Sequence, residues 1–205
     1  MQNSALQITE CPRDAMQGIK DWIATEQKVA YLNALLKCGF DVLDFGSFVS
    51  PKAIPQMQDT AEVLAQLDAS LTALLAIVAN ARGASDACAH ERISIIGYPF
   101  SISETFQVRN TNSTTAQALE GLQQISDICA KHGKKLRVYL SMGFGNPYND
   151  AWSAALVAQW VEKLQRQFEI AEFALSDTIG CATAASAQDL FETLNRQFPS
   201  LRFAA

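Results

Sequence analysis

Arg13 and Asp14 are adjacent charged residues that could together bind a metal and stabilise negative charge. They follow the apolar run 6–10, which has the composition of a short strand. Asp14 offers the hard oxygen ligand that a divalent cation prefers, and the Arg13 guanidinium could face an anion that forms during a reaction. An ion pair in a surface loop is the simpler interpretation, and composition alone favours it because acidic residues are common in loops.

A second acidic residue, Asp44, lies within the apolar strand-like run 40–46. Burying a carboxylate is costly unless it has a partner. One solution is a side chain that faces the inside of a barrel close to Arg13, and the other is an acid exposed at the end of the strand. The sequence alone leaves both open.

The segment 47–57 reads Ser-Phe-Val-Ser-Pro-Lys-Ala-Ile-Pro-Gln-Met and follows this strand directly. Its two prolines, Pro51 and Pro55, fix their own φ angles and restrict the preceding residues, so the pattern predicts a loop of defined shape. Lys52 could bind a phosphate or a carboxylate there. A solvated surface lysine is the alternative, which is the usual state of this residue type.

Two later segments also carry candidate residues. Residues 143–148 include two glycines, which permit a backbone to approach a ligand closely, although a tight turn explains them equally well. Asp177 follows another strand-like run and could support a site or begin a helix. Cys11 and Cys181 could be reactive thiols, but burial is the more common state of cysteine. The chain has two histidines, which makes a metal site built mainly of imidazoles hard to assemble.

The chain alternates strand-like and helix-like segments. Apolar runs predict strands at 6–10, 40–46, 73–78, 93–97, 136–142, 171–175 and 201–204. Helical spacing and end signals predict helices over about 26–37, 60–67, 83–90, 114–132, 154–168 and 186–198. Thr25 and Ser186 are the predicted N-caps of the first and the last of these helices.

Repeated βα units predict parallel strands joined by right-handed crossovers. An open doubly wound sheet and a (β/α)8 barrel both satisfy this rule. Polar residues follow most of the strands, which favours the barrel, and no GxGxxG follows the first strand. We therefore predict a single α/β domain over residues 1–205, a TIM (β/α)8-type barrel that is incomplete at its C-terminus and has about six and a half βα units.

The composition is that of an ordinary globular domain. Apolar residues make up 49% and charged residues 18% of the 205 residues, and the net charge of −5 argues against general nucleic-acid binding. No apolar run is long enough to span a membrane, and the N-terminus lacks the features of a signal peptide. Five widely spaced cysteines without a CxxC pair fit reduced thiols. We predict a cytoplasmic protein without nucleic-acid or membrane partners.

Several of these motifs resemble those of the 3-hydroxy-3-methylglutaryl-CoA (HMG-CoA) lyases. Residues 10–17 are similar to that family's first-strand signature, and the segment 47–57 with Asp59, Glu62 and Val63 is similar to its second-strand block almost letter for letter. Further similarities, in the same order along the chain, are Ser103, Glu104, Asn110, Tyr139, Ser141, Pro147, Tyr148 and residues 176–180. A short Arg-Asp signature alone would also admit isopropylmalate, homocitrate and citramalate synthases.

The resemblance implies a TIM-barrel enzyme that uses Mg²⁺ or Mn²⁺ and cleaves HMG-CoA into acetyl-CoA and acetoacetate. The metal would bind substrate oxygens, and loss of the hydroxyl proton would let the carbon–carbon bond break. A cation would then face the enolate of acetyl-CoA. The pathway, leucine catabolism or another acyl-CoA route, stays open.

By position, the resemblance assigns Asp14 as the metal ligand and Arg13 as the residue that stabilises the enolate. Gln17 would be a polar support beside them. Asp44 stands where the family usually has glutamate, so its carboxylate reaches one methylene less far.

The other matches concern the substrate and the rim of the site. Ser47 and Asp177 match active-site positions of the family. Contacts to the substrate would come from Gln17, Ser47, Lys52, Asn110, Tyr139 and Tyr148. Of these, Lys52, Asn110 and Tyr148 would face its CoA side. Two positions depart from the pattern: Ala174 stands where the lyases often have serine, and Asn146 replaces the usual cysteine.

The family pattern also leads to an expectation about the end of the chain. Strand seven of the family continues into a His-x-His metal-binding pair, and an asparagine ligand and a loop with a catalytic cysteine come later, but this chain stops at Ala205. Without the two imidazoles the metal would be held weakly. We therefore expect little or no activity unless the missing segment is supplied. The unpaired sheet edges of an incomplete barrel predict a homo-oligomer such as a dimer.

Two other functions stay open. One is an acyl-CoA condensing synthase of the same superfamily, of the isopropylmalate or homocitrate synthase type, and the Ser-Pro-Lys sequence in segment 47–57 speaks against it. The other is a catalytically silent binding or scaffold protein, which would hold no metal at Asp14.

Overall fold

The computed structural model describes residues 6–205, which alternate between strands and helices. The strands are β1 Thr9–Glu10, β2 Val42–Ser47, β3 Ala73–Ile77, β4 Ile93–Ser101, β5 Lys135–Ser141, β6 Glu172–Leu175 and β7 Arg202–Ala204. The helices are α1 Pro12–Gln17, α2 Thr25–Leu35, α3 Thr60–Ala65, α4 Ala81–Cys88, α5 Glu104–Thr111, α6 Thr115–Lys131, α7 Ala154–Phe168 and α8 Ala184–Gln197. A short 3-10 turn, Pro55–Met57, precedes α3. Within the described residues, no helix combines the length and the apolar character needed to cross a membrane.

The strands form one sheet in the order in which they occur along the chain, from β1 to β7. The pairs β1–β2, β2–β3, β5–β6 and β6–β7 are parallel. A doubly wound sheet would reverse its order at a switch point, whereas a barrel keeps it. The continuous order therefore supports the (β/α)8-type barrel over the open sheet.

The chain divides into two compact units. The first contains the described residues up to Ile96 together with His132–Lys135, and the second contains Gly97–Lys131 and Leu136–Ala205. The single domain over residues 1–205 stays a prediction.

The first unit is built on β2 and β3. Every residue of β2 is buried, including Asp44, and its pairing with β3 shifts register between Asp44 and Gly46. At Gly46 an added side chain would come within 2.5 Å of Thr60 Cγ2, and Thr60 Oγ1 accepts a hydrogen bond from Ser47 N. The absence of a side chain at Gly46 thus lets α3 approach the end of the strand that precedes segment 47–57.

The second unit buries an aliphatic and aromatic core. Phe100 of β4 and Phe173 of β6 are inaccessible to solvent, and the rings of Phe100 and Trp160 lie 5.2 Å apart. Tyr98 is also buried, donates its hydroxyl to Ala118 O, and has a pKa that burial raises to about 12. These contacts attach β4 to α6 and α7.

Four local predictions are wrong. α1 and α5 lie in segments for which no helix is predicted. Thr25 is the first residue of α2 and Ala24 is its N-cap, while the Thr25 hydroxyl donates to Asp59 Oδ2 at 2.8 Å. The N-cap of α8 is Thr183, whose hydroxyl oxygen accepts from Ser186 N. In both helices the residue expected to cap the end lies inside it.

Candidate active site

α1 begins directly after β1 and carries three of the predicted site residues. Pro12 lies in its first turn, where a proline removes no helical hydrogen bond. The six-residue helix brings Arg13, Asp14 and Gln17 near one another, because residues three and four apart share a face. This part of the site is therefore built at the C-terminal end of a strand, where barrel enzymes place their active sites.

Arg13 forms a buried ion pair with Asp44 of β2. Arg13 is 8% exposed, and Asp44 has no exposed surface. Arg13 Nη2 donates to Asp44 Oδ2 at 2.6 Å, and Arg13 Nε donates to Asp44 Oδ1 at 3.1 Å. This paired geometry offsets the cost of removing both charges from water. Of the two interpretations of Asp44, the buried carboxylate with Arg13 as its partner is confirmed.

The remaining nitrogen of the guanidinium binds Asp14 and Gln17. Arg13 Nη1 donates to Asp14 Oδ1 and to Gln17 Oε1, each at 2.9 Å, and Gln17 Nε2 donates to Asp14 Oδ1 at 3.3 Å. The Asp14 side chain is 65% exposed. One arginine thus contacts two carboxylates, one enclosed and one facing solvent. Their excess negative charge suits a cation at Asp14.

Two cysteines lie beside predicted site residues. Partial burial of the thiol, followed by the negative charge of Asp44, raises the pKa of Cys11 to about 11. Slight desolvation of its thiol and then the charge of Asp177 also raise the pKa of Cys181. Both cysteines are exposed residues, so the prediction of burial is wrong. Their raised pKa values nevertheless disfavour the nucleophilic thiolate.

Ser47 ends β2 and shapes the loop that follows. It is buried, and its Oγ donates to Ile77 O at 3.3 Å and accepts from Val49 N at 3.2 Å. Lys52, by contrast, is exposed in the turn that follows. Beside this loop lies a cavity of about 310 Å³, whose lining includes Ser47, Val49 and Arg82. Ser47 therefore maintains the loop geometry, and Lys52 is accessible to a ligand.

In the second unit, Asp177 holds the turn after β6. Its carboxylate accepts from Ala182 N at 3.0 Å and from Cys181 N at 2.9 Å. These hydrogen bonds, led by that from Ala182, lower the pKa of Asp177. The residue is exposed, and its hydrogen bonds support the interpretation of a turn-forming acid before α8. Its role in the active site stays a prediction.

Three predicted substrate contacts also lie in the second unit. The Arg109 guanidinium lies 5.0 Å from the centre of the Tyr148 ring, a distance typical of a cation–π contact. Asn110, the next residue of α5, is exposed, and Tyr139 is half-buried in β5. The structure thus places Tyr148 beside α5 and leaves Asn110 accessible.

Asp150 is a residue that the sequence did not single out. Its carboxylate accepts from Ser103 Oγ at 2.5 Å, from Thr105 Oγ1 at 2.9 Å and from Thr105 N at 3.1 Å. These hydrogen bonds, led by that from Ser103, lower the pKa of Asp150. Ser103 is the N-cap of α5, so Asp150 attaches the loop after β5 to the start of this helix.

A family model described as HMGL-like matches residues 6–204 of this chain. The chain belongs to the HMGL-like family. It is 34% identical over 194 residues to hydroxymethylglutaryl-CoA lyase YngG of Bacillus subtilis, an alignment that covers 94% of this chain and 64% of the relative. It is 31% identical over 191 residues to the mitochondrial hydroxymethylglutaryl-CoA lyase of Bos taurus, an alignment that covers 92% of this chain and 58% of the relative. The chain therefore spans less than two thirds of the length of these relatives.

Solved structures of this HMGL-like family share the fold. The HMG-CoA lyase of Bacillus subtilis gives a TM-score of 0.88 at 34% identity over 96% of this chain and 67% of that structure. An HMG-CoA lyase of Acinetobacter baumannii was solved in complex with coenzyme A and 3-methylmalate. It gives a TM-score of 0.88 at 26% identity, and the alignment covers 97% of this chain and 65% of that structure. This likeness confirms the prediction of an incomplete TIM barrel.

The HMGL-like family implies a divalent metal. Asp14 is a suitable donor, because its carboxylate faces solvent and carries the hard oxygen ligands that Mg²⁺ and Mn²⁺ prefer. Within residues 6–205, however, no group of three or more His, Cys, Asp or Glu side chains is placed to hold an ion. The residues described here supply one fitting ligand and not a complete coordination set.

Proposed function

We propose that this chain carries part of the active site of a carbon–carbon lyase that cleaves HMG-CoA into acetyl-CoA and acetoacetate. The observation that carries the proposal is the Arg13 guanidinium, which is held by buried Asp44 and bonded to solvent-facing Asp14. A cation next to a metal-binding carboxylate suits a reaction in which an alkoxide breaks down to an enolate. The relatives are named lyases, which favours this reaction over that of a condensing synthase.

Arg13 would stabilise the negative charge that develops on the thioester oxygen of the departing acetyl-CoA. Donors that are already oriented are effective because nothing has to reorganise during the reaction. Asp44 supplies that orientation. Since it has no exposed surface, it acts through Arg13 rather than on the substrate. Gln17 fixes the guanidinium from the other side.

Asp14 would hold the divalent ion, Mg²⁺ or Mn²⁺. When bound, such an ion polarises substrate oxygens as a Lewis acid. Asp14 Oδ1 accepts from Arg13 and from Gln17, so the carboxylate is oriented before any ion arrives. The chain contains no His-x-His pair, so the proposed imidazole ligands would have to be supplied from elsewhere.

We propose an acyl-CoA as the substrate class. Asp177 is a further active-site acid, and the proposed substrate contacts are Gln17, Ser47, Lys52, Asn110, Tyr139 and Tyr148. The exposure of Lys52 and Asn110 supports their roles, whereas Ser47 would contribute through the loop that it shapes. The Acinetobacter baumannii relative was solved with coenzyme A, which supports this substrate class.

We further propose a cytoplasmic protein that forms homo-oligomers and, if HMG-CoA is its substrate, serves leucine catabolism. Its five free cysteines support a reducing compartment. The compartment differs among relatives, since the HMG-CoA lyase of Danio rerio is named cytoplasmic and that of Bos taurus mitochondrial.

Release of acetoacetate from HMG-CoA in the presence of Mg²⁺ or Mn²⁺ tests the proposed reaction, measured on the chain joined to a segment that supplies the His-x-His pair. We expect Arg13→Gln to lower the rate by about two to three orders of magnitude, as the loss of an oriented donor does. Lys134→Gln is a control for the loss of a positive charge, because Lys134 Nζ donates to the backbone of His90 and Glu91. Condensation of a 2-oxo acid with acetyl-CoA would instead identify a synthase.

Binding of Mn²⁺ gives a readout that does not depend on turnover. The electron paramagnetic resonance signal of free Mn²⁺ should decrease on addition of the chain joined to that His-x-His segment and should be restored with Asp14→Asn in the same protein. Equal signals for the two proteins, together with no acetoacetate, would favour the catalytically silent alternative.

A further inference from the structure

The Gln56 side chain is buried and binds three backbone groups of the α1–α2 loop, which comprises residues 18–24. Gln56 is 4% exposed. Its Nε2 donates to Ile19 O at 3.1 Å and to Asp21 O at 2.9 Å, and its Oε1 accepts from Ile23 N at 3.1 Å. Both amide hydrogens and the carbonyl oxygen of this side chain are thus used by a single loop.

The backbone of Gln56 is held as well. Its carbonyl oxygen accepts from the Lys28 ammonium at 2.5 Å, and Lys28, which is buried, also pairs with Asp59 Oδ1 at 2.7 Å. Lys28 Nζ lies 3.9 Å from the centre of the Trp22 ring. The far end of the α1–α2 loop is therefore anchored at the start of α2 by an enclosed ion pair.

α1 needs such an anchor because it is short. A helix of six residues is not stable on its own, so its direction depends on what holds its ends. At the end of α1, Ile19 N donates to Met16 O, and the carbonyl of the same Ile19 accepts from Gln56. Gln56 is thus bonded to the second residue after the helix.

We propose that Gln56 is a positioning residue for α1, and that by holding the α1–α2 loop it fixes where Arg13 and Asp14 point. The inference rests on the proposed function only in treating α1 as the active-site helix. It assigns a role to a residue of segment 47–57 that carries no charge and faces no solvent. A purely local role in the loop would leave Arg13 unaffected, whereas positioning requires that a change at Gln56 reach Arg13.

Gln56→Met tests this role, because methionine has a similar length and volume but makes none of the three hydrogen bonds. The matched control is Gln66→Met, since Gln66 follows α3 directly, is exposed, and donates its side-chain amide to Glu62 O within that helix. The first readout is the nuclear magnetic resonance signal of the Arg13 Nε–H group, which Arg13→Lys identifies by its loss. We expect this signal to shift in Gln56→Met and to stay in place in Gln66→Met.

The second readout is amide hydrogen exchange. We expect the amides of Ala15, Ile19 and Ile23 to exchange at least about tenfold faster in Gln56→Met, while those of β2 and β3 keep their rates. Faster exchange at Ile23 alone, with an unmoved Arg13 signal, would overturn the proposal because it shows a local role. Equally faster exchange throughout β2 and β3 would overturn it too, because it marks a general loss of stability.

If Gln56→Met does not fold, amide hydrogen exchange of the unsubstituted chain in low denaturant tests the positioning role instead. The amides of Ala15, Ile19 and Ile23 should then open together, with one free energy and one denaturant slope, and below the opening energy of β2. Separate openings would contradict the proposal. All these measurements are made without substrate or metal, so an absence of lyase activity would count against the proposed function and leave the positioning role intact.

Discussion

Arg13 contacts two carboxylates whose surroundings differ, and this difference separates a structural role from a chemical one. Asp44 has no exposed surface, whereas the Asp14 side chain is 65% exposed. Removing the partner of a buried charge leaves that charge uncompensated, but water replaces an exposed partner at little cost. Substitutions that each remove one negatively charged partner of Arg13 should therefore differ in their effect on stability.

Asp44→Asn should lower the free energy of unfolding by about 3 kcal/mol, because it leaves the Arg13 guanidinium buried without its main counter-charge. Asp14→Asn is the matched control and should change it by less than about 1 kcal/mol, although Asp14 is the proposed metal ligand. Urea unfolding of the metal-free chain, followed by circular dichroism, measures both. Equal losses in the two variants would contradict the role given to Asp44.

The sequence drew attention to the part of the site in which a buried charge needs a partner of opposite charge. A buried acid inside an apolar strand needs a partner, so pairing with Arg13 was one of the two interpretations of Asp44, and the structure pairs them. The sequence does not indicate that Gln56 and Asp150 need specific partners, because a glutamine and an acidic loop residue are common at protein surfaces. Their contacts reach across 35 and 47 positions of the chain, and no local pattern encodes such a distance.

Among the elements, the loop after β5 depends on a small set of polar contacts for its attachment to α5. Asn146 Oδ1 accepts from Tyr148 N and Asp150 N, which folds the loop on itself. The Asp150 carboxylate then accepts from Ser103 and Thr105 at the start of α5. A helix N-terminus stabilises a negative charge, so this attachment should depend on ionisation.

The lowered pKa of Asp150 gives the sign of that dependence. The ionised carboxylate stabilises the fold above the ordinary aspartate value of 3.8, and this contribution is lost as the pH falls through the lower pKa of the folded state. Asp150→Asn should therefore lower the unfolding temperature at neutral pH and flatten its decline below about pH 4. Asp189→Asn, at an exposed position of α8, is the control and should keep the original profile. An unchanged profile in Asp150→Asn would contradict this assignment.

The long helix α7 was predictable from the sequence, whereas two short helices, α1 and α5, were not. α7 spans Ala154–Phe168 as predicted, because apolar residues recur with helical spacing over its 15 residues. α1 and α5 have six and eight residues, and α5 buries only Gln107. Neither shows an apolar stripe, in contrast to α4, which has the same length as α5 and buries Ala84, Ala87 and Cys88. The formation of α1 and α5 therefore depends on caps and on contacts with distant loops.

For the molecule as a whole, the sheet order places β1 and β7 at its two ends within residues 6–205. β1 pairs with β2, and β7 pairs with β6. A strand at the end of a sheet is a template on which another chain can add a strand. Next to β1, Leu6 and Ile8 are 88% and 53% exposed, so apolar surface adjoins this edge. Both features favour contact between copies of the chain.

We expect the isolated chain to self-associate through the β1 edge, so light scattering should give a mass above 22.4 kDa that rises with concentration. Ile8→Lys should reduce this association, because a lysine beside an edge strand opposes the approach of a second chain. Ile179→Lys is the matched control, since Ile179 is 44% exposed but lies outside the strands, and it should leave the association unchanged. A monomer at every concentration, or an equal effect of the two lysines, would show that the β1 edge does not form the contact.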